Sequence, residues 1–250
     1  MTMDTLWVGL PAYNEEAAIS ALFGRFEAVF PGKSLPYRIV LYNDGSTDGT
    51  LFSARAWEDR LNVEVIGRPE NLGLGAGLRA LVSHVARNGG PQDVLVIMDC
   101  DDTHPPGLIP SMTAALDAGC DIVIASRYRN GARIEGLAAH RRLLSLGAAL
   151  LFKALHPCRG VLDYTSGYRG YRVSLLQRAL AHYGDNLIRE QGFACMVELL
   201  LKLNHLGARA CEVPIDLRYD LKKGASKMDL GGNTRRLLSN LLSWRFRGLK

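Results

Sequence analysis

Short apolar runs alternate with longer amphipathic segments along the first half of the chain. Five aliphatic and β-branched runs, each followed by a polar or glycine-containing turn, predict buried β-strands: Leu6–Leu10, Arg38–Tyr42, Val63–Ile66, Val94–Met98 and Asp121–Ala125. The intervening segments have the apolar spacing of helices: Glu15–Phe30, Asp48–Asp59, Leu78–Asn88 and Pro105–Ala118. This regular alternation predicts an α/β fold with a mostly parallel central sheet and helices on both of its faces.

The pattern becomes less regular after Arg127. The later segments are predicted as follows: a helix from about His140 to Leu155, a Tyr- and Gly-rich stretch at Tyr164–Tyr171, two more helices, a strand around Ala210–Leu217 and a C-terminal helix. No repeat or low-complexity linker separates these elements. We therefore expect one domain over residues 1–250, with halves of about 1–128 and about 129–250.

Composition narrows the class of protein only modestly. The 250 residues are 48% hydrophobic with a formal net charge of +5, so the chain can bury a full core and would suit any of several anionic partners. The five cysteines are widely spaced and include no CxxC pair, so neither a disulfide framework nor a zinc site is indicated, and a cytoplasmic location is expected. The sequence indicates no signal peptide and no apolar run of the roughly 20 residues that span a bilayer.

Polar residues follow the predicted strands at the points where the strands end, which is where parallel sheets bind ligands. They are Pro11, Tyr13, Asn14 and Glu15; Asn43, Asp44, Gly45 and Ser46; Asp99, Cys100, Asp101 and Asp102; and Ser126, Arg127 and Tyr128. Asp99 and Asp101, two positions apart, can both face one hard cation that neutralises phosphate. Alternatively, Asp101 and its neighbours Asp102 and Thr103 cap the helix that follows.

Two further motifs are ambiguous when taken alone. Residues 43–50 form a turn-type sequence in which an oxygen of Asn43 or Asp44 could also accept the ring imide N–H of uracil or guanine. The run Gly73-Leu74-Gly75-Ala76-Gly77 is similar to a dinucleotide-binding fingerprint. That fingerprint belongs after the first strand of a βαβ unit, whereas this run follows the third, so a dehydrogenase is disfavoured.

Six motifs together resemble glycosyltransferase family 2, specifically the dolichol-phosphate mannose synthases and the bacterial polyprenyl-phosphate glycosyltransferases. Between Leu10 and about Met228 they stand in the family's order and approximate spacing: Pro11–Glu16, Asn43–Thr50, Met98–Asp101 with His104–Pro106, Ser126–Tyr128, Thr165–Arg169 and Gly224–Lys227. The resemblance implies a GT-A fold. It also implies an inverting, metal-dependent hexosyltransferase that uses GDP-mannose or a UDP-sugar and a polyprenyl or dolichyl phosphate acceptor.

The resemblance further implies roles for individual residues. The nucleoside would be surrounded by Pro11, Tyr13, Glu15, Asn43 and Asp44. Asp99, Cys100 and Asp101 would lie at the diphosphate, with Mg²⁺ or Mn²⁺ held by Asp99 and Asp101. Phosphates of donor or acceptor would be contacted by Arg127, Arg141 and Lys227, where the fork of arginine suits bidentate binding.

The chain departs from the family pattern at three positions. The family often has Asp where this chain has Asn43, which leaves the nucleotide base open. It often has a metal-contacting Gln where this chain has Thr103, so we expect the cation to rely on the aspartates and water. It usually has Arg at the position of Leu221, and the candidates to replace that arginine are Lys222, Lys223 and Arg218.

The acceptor depends on whether a general base is present. A hydroxyl acceptor needs a base, whereas a phosphate monoester is already anionic near pH 7. Glu190 falls where hydroxyl-using relatives tend to carry Glu-Asp, but the paired Asp is absent, which favours a phosphate acceptor. Glu190 remains either a candidate base or an acid at a helix N-terminus. The alternative function is a soluble family 2 enzyme that glycosylates a hydroxyl.

Partners other than the substrates are predicted from charge and apolar patterning. The segment Ala138–Leu155 mixes Arg141, Arg142 and Lys153 with leucines, as expected of a helix lying on an anionic membrane or of an ordinary core helix. The basic, aromatic end from Trp244 to Lys250 is a second candidate contact. We expect peripheral association with the cytoplasmic face of a membrane. The basic residues are dispersed, so no nucleic-acid partner is expected; the oligomeric state is not specified.

Overall fold

The computed structural model describes residues 4–31, 36–135, 147, 149–218 and 239–245. The strands are β1 (Leu6–Ala12), β2 (Tyr37–Asp44), β3 (Val63–Arg68), β4 (Val94–Ile97), β5 (Ile122–Ser126), β6 (Arg133–Glu135), β7 (Arg169–Arg172), β8 (Ala210–Pro214) and β9 (Asp216–Arg218). The helices are α1 (Glu16–Val29), α2 (Thr50–Arg55), α3 (Leu74–Asn88), α4 (Ile109–Asp117), α5 (149–155), α6 (Val173–Tyr183), α7 (Ala194–His205) and α8 (239–245).

Seven strands form one sheet in the order β3-β2-β1-β4-β7-β5-β8, and β6 pairs with β9 in a second, two-stranded sheet. Every pair in the large sheet is parallel except those of β7, which runs antiparallel to both β4 and β5. The five strands predicted in the first half are confirmed to within two residues at either end. The predicted mostly parallel sheet is therefore confirmed as well.

Some predicted elements needed correction. The Tyr- and Gly-rich stretch contains β7, which was not predicted as a strand. An added Cβ at Gly170 would lie 2.7 Å from a methyl carbon of Val123, so packing between neighbouring strands selects glycine there. The predicted strand Ala210–Leu217 is divided into β8 and β9 at Ile215. The helix predicted over Asp48–Asp59 is shorter, and α3 begins four residues earlier than predicted.

Two hydrophobic cores lie on opposite faces of the large sheet, because successive strand residues point to opposite sides. Trp7 and Val40 pack with α3, α6 and α7 on one face. Val8 and Ile39 pack with α1, α2 and α4 on the other. The prediction that helices cover both faces is thus confirmed. The carboxyl ends of the parallel strands form the edge of the sheet that lies between the two helical layers, and it is called the carboxyl edge below.

The cysteine prediction was wrong for one pair. Cys120 and Cys211 form a disulfide with Cα atoms 6.1 Å apart, although 91 residues separate them in sequence. Cys120 directly precedes β5 and Cys211 lies on β8, two strands whose pairing is not visible in cysteine spacing. Cys100, Cys158 and Cys195 are buried thiols. In the described part of the chain, no helix combines the length and apolarity needed to cross a membrane.

Candidate active site at the carboxyl edge of the sheet

The turns after β1 and β2 are joined to each other at the carboxyl edge. Asn14 has a positive φ of 55°, which lets its backbone N–H donate to Ser46 Oγ at 3.0 Å while its side-chain oxygen accepts from the Thr47 N–H at 2.8 Å. The Glu15 N–H donates to Thr50 Oγ1 at 2.8 Å. The strand register places Pro11 beside Tyr42. The structure therefore brings together the two motifs that were predicted to surround the nucleoside.

Asn43 and Asp44 hold the backbone of neighbouring loops. Asn43 Oδ1 accepts from the Ser46 N–H at 3.3 Å, which closes the turn. Asp44 is buried, and its carboxylate accepts the N–H groups of Leu72 at 3.1 Å and Gly73 at 2.7 Å. These bonds give Asp44 a structural role that was not predicted, while its predicted contact with the base stays a prediction.

The loop after β4, residues 99–104, is called the acidic loop below. The Asp99 N–H donates to His104 Nδ1 at 3.0 Å, so the imidazole proton lies on Nε2, which is 3.9 Å from an Asp99 carboxylate oxygen. The His104 ring stacks on Tyr168, with ring centroids 5.0 Å apart. The Asp99 side chain is 38% exposed. His104 thus fixes the backbone of Asp99 while the carboxylate faces the solvent edge.

The helix-cap interpretation of the acidic loop is wrong. Neither the 3₁₀ turn at Pro106–Leu108 nor α4 has a side-chain cap hydrogen bond. Asp101 Oδ1 instead accepts from Thr103 Oγ1 at 2.6 Å and from the Thr103 N–H at 3.2 Å. Asp102, which has a positive φ of 64°, is buried and pairs with Arg25 at 3.2 Å. The aspartates are thus divided between Asp102, whose buried carboxylate is paired with Arg25, and Asp99 and Asp101, whose carboxylates are partly exposed.

The donor atoms of the acidic loop fit a hard divalent cation that also binds phosphate. Within the described ranges, no group of three or more His, Cys, Asp and Glu side chains is placed to hold a metal. Asp99 and Asp101 supply two carboxylates, which matches the way Mg²⁺ uses one or two carboxylates together with water and substrate phosphates. The Cys100 side chain packs in the hydrophobic core, so its thiol is not part of this donor set.

Arg127, directly after β5, makes a buried bidentate ion pair. Its Nε and Nη2 atoms donate to the two Asp163 carboxylate oxygens at 2.8 and 2.7 Å, and Nη2 also donates to Thr165 Oγ1 at 2.6 Å. Burial alone would raise the pKa of Asp163, but the hydrogen bonds and positive charge of Arg127 outweigh it and hold that pKa below its usual value. Asp163 therefore orients the guanidinium, a role that sequence analysis missed.

Glu190 lies in a segment that precedes α7, four residues before its first residue, Ala194. The first turn of α7 has no acidic residue, so the interpretation of Glu190 as a helix N-terminal acid is wrong. The backbone N–H groups of Arg189 and Glu190 donate to one oxygen of Glu198 at 2.8 and 2.9 Å. Glu198, which sequence analysis also missed, thus determines where the Glu190 backbone lies.

Comparison with known proteins identifies the family. Residues 7–180 match the sequence profile of the family described as glycosyl transferase family 2. The chain belongs to glycosyl transferase family 2. It is therefore a glycosyltransferase with a GT-A fold, as the resemblance of its motifs implied.

Three curated relatives match much of the chain. A polyprenol monophosphomannose synthase of Mycolicibacterium smegmatis is 32% identical over 249 residues, which is 99% of this chain and 89% of the relative. An undecaprenyl-phosphate mannosyltransferase of Micrococcus luteus is 31% identical over 96% of both chains. A dolichol-phosphate mannosyltransferase of Pyrococcus furiosus is 33% identical over 82% of this chain, which spans only 54% of that longer protein.

Solved structures of the same fold include the glucosyl-3-phosphoglycerate synthase of Mycobacterium tuberculosis in complex with Mn²⁺, UDP and glucosyl-3-phosphoglycerate. That structure has a TM-score of 0.66 and 26% identity to this chain, and the match covers 97% of this chain and 80% of the synthase.

Several residues that the family resemblance singled out lie outside the described residues. They are Arg141, Leu221, Lys222, Lys223 and Lys227, together with the Gly224–Lys227 motif. Only the backbone of Arg218 is described, as the last residue of β9. The predicted phosphate contacts of Arg141 and Lys227 stay predictions.

Proposed function

We propose that this family 2 enzyme transfers a hexose, with mannose favoured, from a nucleotide-diphosphate sugar to a polyprenyl phosphate with inversion. The observation that carries the proposal is the division within the acidic loop. The Asp102 carboxylate is buried and paired with Arg25, whereas Asp99 and Asp101 are partly exposed at the strand end beside the joined turns after β1 and β2. If the nucleoside rests on those turns, the sugar diphosphate would lie near these two carboxylates, which supports the proposal.

Asp99 and Asp101 would hold Mg²⁺ or Mn²⁺, and such an ion supplies electrostatic stabilisation of the leaving nucleoside diphosphate. Residues of the chain itself orient the groups that would contact the cation and the phosphates. His104 fixes the backbone of Asp99, and Asp163 fixes the plane of the Arg127 guanidinium, which would donate hydrogen bonds to phosphate oxygens. A phosphate monoester has its second pKa near 6 and is already anionic at pH 7, so it attacks without a strong base.

The lipid acceptor is supported by the three relatives, whose names specify dolichol phosphate, polyprenol monophosphomannose or undecaprenyl phosphate. The surface formed by α5 and α8 fits association with a membrane. His156, at the end of α5, bonds the Leu241 carbonyl of α8 at 3.0 Å, and Phe152 and Leu241 are buried beneath. Leu150 and Leu242 on the same two helices are 63% and 52% exposed, as suits helices that lie in a lipid interface.

A second candidate is transfer to a hydroxyl of a small phosphorylated acceptor. It is favoured by the fold similarity to glucosyl-3-phosphoglycerate synthase over 97% of this chain. In that case the proton of the attacking hydroxyl would need a base, for which Glu190 is the candidate.

The proposal is tested in two steps. Calorimetric titration with UDP, GDP and their sugar conjugates, with Mn²⁺ or with EDTA, is expected to show metal-dependent binding of one nucleotide. The matching labelled sugar donor is then offered undecaprenyl phosphate in detergent or 3-phosphoglycerate in buffer. Label in the lipid fraction supports the proposal, and label only in the phosphoglycerate product supports the second candidate. Absence of nucleotide binding would contradict both.

Membrane association is tested separately by co-sedimentation with vesicles of phosphatidylglycerol and phosphatidylcholine. The wild-type protein is expected to sediment with them, and a Leu150→Glu/Leu242→Glu variant is expected to stay in the supernatant with an unchanged melting temperature. Equal sedimentation of the two proteins would contradict a contact through α5 and α8.

A further inference from the structure

The glycine run at the start of α3 packs tightly against the segment that carries Glu190. The Gly75 N–H donates to the Gln191 carbonyl at 2.7 Å. A Cβ added at Gly75 would lie 1.8 Å from the Glu190 carbonyl oxygen, a distance that no side chain can occupy. A Cβ at Gly73, whose φ is +87°, would lie 3.0 Å from the Gln191 carbonyl oxygen. The glycines therefore allow two backbones to approach closely.

The opposite side of this segment is held by a buried ion pair on α7. Glu198 Oε2 accepts the N–H groups of Arg189 and Glu190, and Glu198 Oε1 pairs with Lys202 at 2.7 Å. The Lys202 ammonium also donates to the Asn186 carbonyl. The side chains of Glu198 and Lys202 are both almost fully buried. Burying two charges is costly and is tolerated when their hydrogen bonds are satisfied, as these are. Residues 189–191 are thus fixed between α3 and α7.

The same glycine run is connected to the loop after β2. Asp44 accepts the N–H groups of Leu72 and Gly73, directly before α3. Asp44 at the strand end is therefore bonded to residues 72 and 73, and Gly75, two residues further along the backbone, is bonded to Gln191. The location of residues 189–191 is consequently defined relative to the donor side of the edge, not only relative to α7.

We propose that Gly75 and Glu198 are positioning residues, which place the backbone of segment 189–191 at the acceptor side of the transfer site. This rests on the proposed function, because it takes the transfer site to lie at this edge. The glycine run is then a backbone contact that aligns the acceptor side with the donor side, and not a phosphate-binding loop. Displacing a positioned group by about 1 Å can cost about a hundredfold in rate, so the effect is expected in kcat and not in nucleotide affinity.

The first test compares Gly75→Ala with Gly24→Ala. Both glycines lie in helices, where alanine is the better helix former, but a Cβ at Gly24 meets only Trp57, at 3.9 Å. We expect Gly75→Ala to bind the nucleotide with wild-type affinity by calorimetry and to lose about a hundredfold in kcat. Gly24→Ala is expected to match the wild type in both. Wild-type kcat in Gly75→Ala would overturn the proposal.

A second pair of variants keeps the test decisive if Gly75→Ala does not fold. Glu198→Gln/Lys202→Met removes both charges together and keeps a side-chain oxygen that can accept the two N–H groups. Glu198→Leu/Lys202→Met removes both charges and the acceptor. We expect the first variant to retain most of the kcat and the second to lose about a hundredfold at unchanged nucleotide affinity. Equal kcat values in the two would overturn the proposal, whereas a wild-type protein that binds no nucleotide would instead contradict the proposed function.

Discussion

The acidic loop and the Arg127–Asp163 pair use the same chemical group in opposite ways. Asp99 is 38% exposed at the edge, and Asp101 is partly exposed beside it. Asp163 is fully buried, receives two hydrogen bonds from the Arg127 side chain, and also accepts the Ser166 N–H at 3.0 Å. A carboxylate whose charge is neutralised by the protein orients other groups, whereas one that faces the edge can bind a cation. Burial and partners, more than residue type, therefore separate the two roles.

The largest expected effect is on the exposed side of this comparison. Asp101→Asn should lower kcat by about a thousandfold, equivalent to about 4 kcal/mol, because one of the two carboxylates of the proposed cation site is lost. The urea midpoint should stay close to that of the wild type. Asp117→Asn, an exposed change at the end of α4, is the control and should keep full activity. Unaltered turnover of Asp101→Asn in saturating Mn²⁺ would contradict the metal assignment.

The next effect is on stability. Asp163→Asn should lower the free energy of unfolding by about 3 kcal/mol, because it leaves the mostly buried Arg127 guanidinium without its counter-charge. Urea denaturation followed by circular dichroism measures the change. A loss below 1 kcal/mol would mean that the pair stabilises the folded state no more than an ion pair on the surface does.

A smaller effect is expected in the pH dependence of stability. The folded-state pKa of Asp163 is depressed below 3.8, so its contribution to stability is present above that value and is lost as the pH falls through the lower, folded-state pKa. The gap in urea midpoint between wild type and Asp163→Asn should therefore be large at pH 6 and narrow progressively below pH ~4. A gap that widened on acidification would contradict the direction of the pKa shift.

The smallest expected effect is at the surface ion pair of Arg60 and Glu27. Their side chains are 55% and 34% exposed, and Arg60 also lies over the Trp57 ring at 4.3 Å. Glu27→Gln should lower the free energy of unfolding by at most about 1 kcal/mol, and less at high salt. The same urea titration at low and high NaCl measures it. A loss as large as that of Asp163→Asn would remove the distinction drawn between buried and exposed pairs.

Sequence analysis predicted the first five strands because their apolar runs are uninterrupted. It missed β7 because Arg169-Gly170-Tyr171-Arg172 carries two charges and a glycine. Arg169 is nevertheless fully buried, with the carbonyls of Tyr164 and Met196 accepting its hydrogen bonds. Partners of this kind are supplied by the tertiary fold and have no signature in the local pattern.

The candidate site likewise contains residues that could be predicted from the sequence and residues that could not. The motifs at Tyr13, Asn43 and Asp99 could be found because they follow predicted strands. Glu198 and Glu212 could not be found in this way, since each is a single acid among apolar residues. Each nevertheless accepts hydrogen bonds from two consecutive backbone N–H groups, those of Arg189 and Glu190 for Glu198 and those of Leu162 and Asp163 for Glu212. The division of the domain into halves of about 1–128 and about 129–250, like the individual site roles, stays a prediction.

The position of β7 has a consequence for the order in which the sheet assembles during synthesis. β5 has no pairing with β4, and its neighbours in the sheet are β7 and β8. The four strands β3, β2, β1 and β4 can pair once residue 97 has emerged from the ribosome, whereas β5 must wait until residues 169–172 have been made. Non-local pairings of this kind form late because a long loop must close first. The nascent enzyme would therefore complete the turns expected at the nucleoside well before Arg127 meets Asp163. A chain released before residues 169–172 have been made would have only half of the sheet, with an open edge at β4.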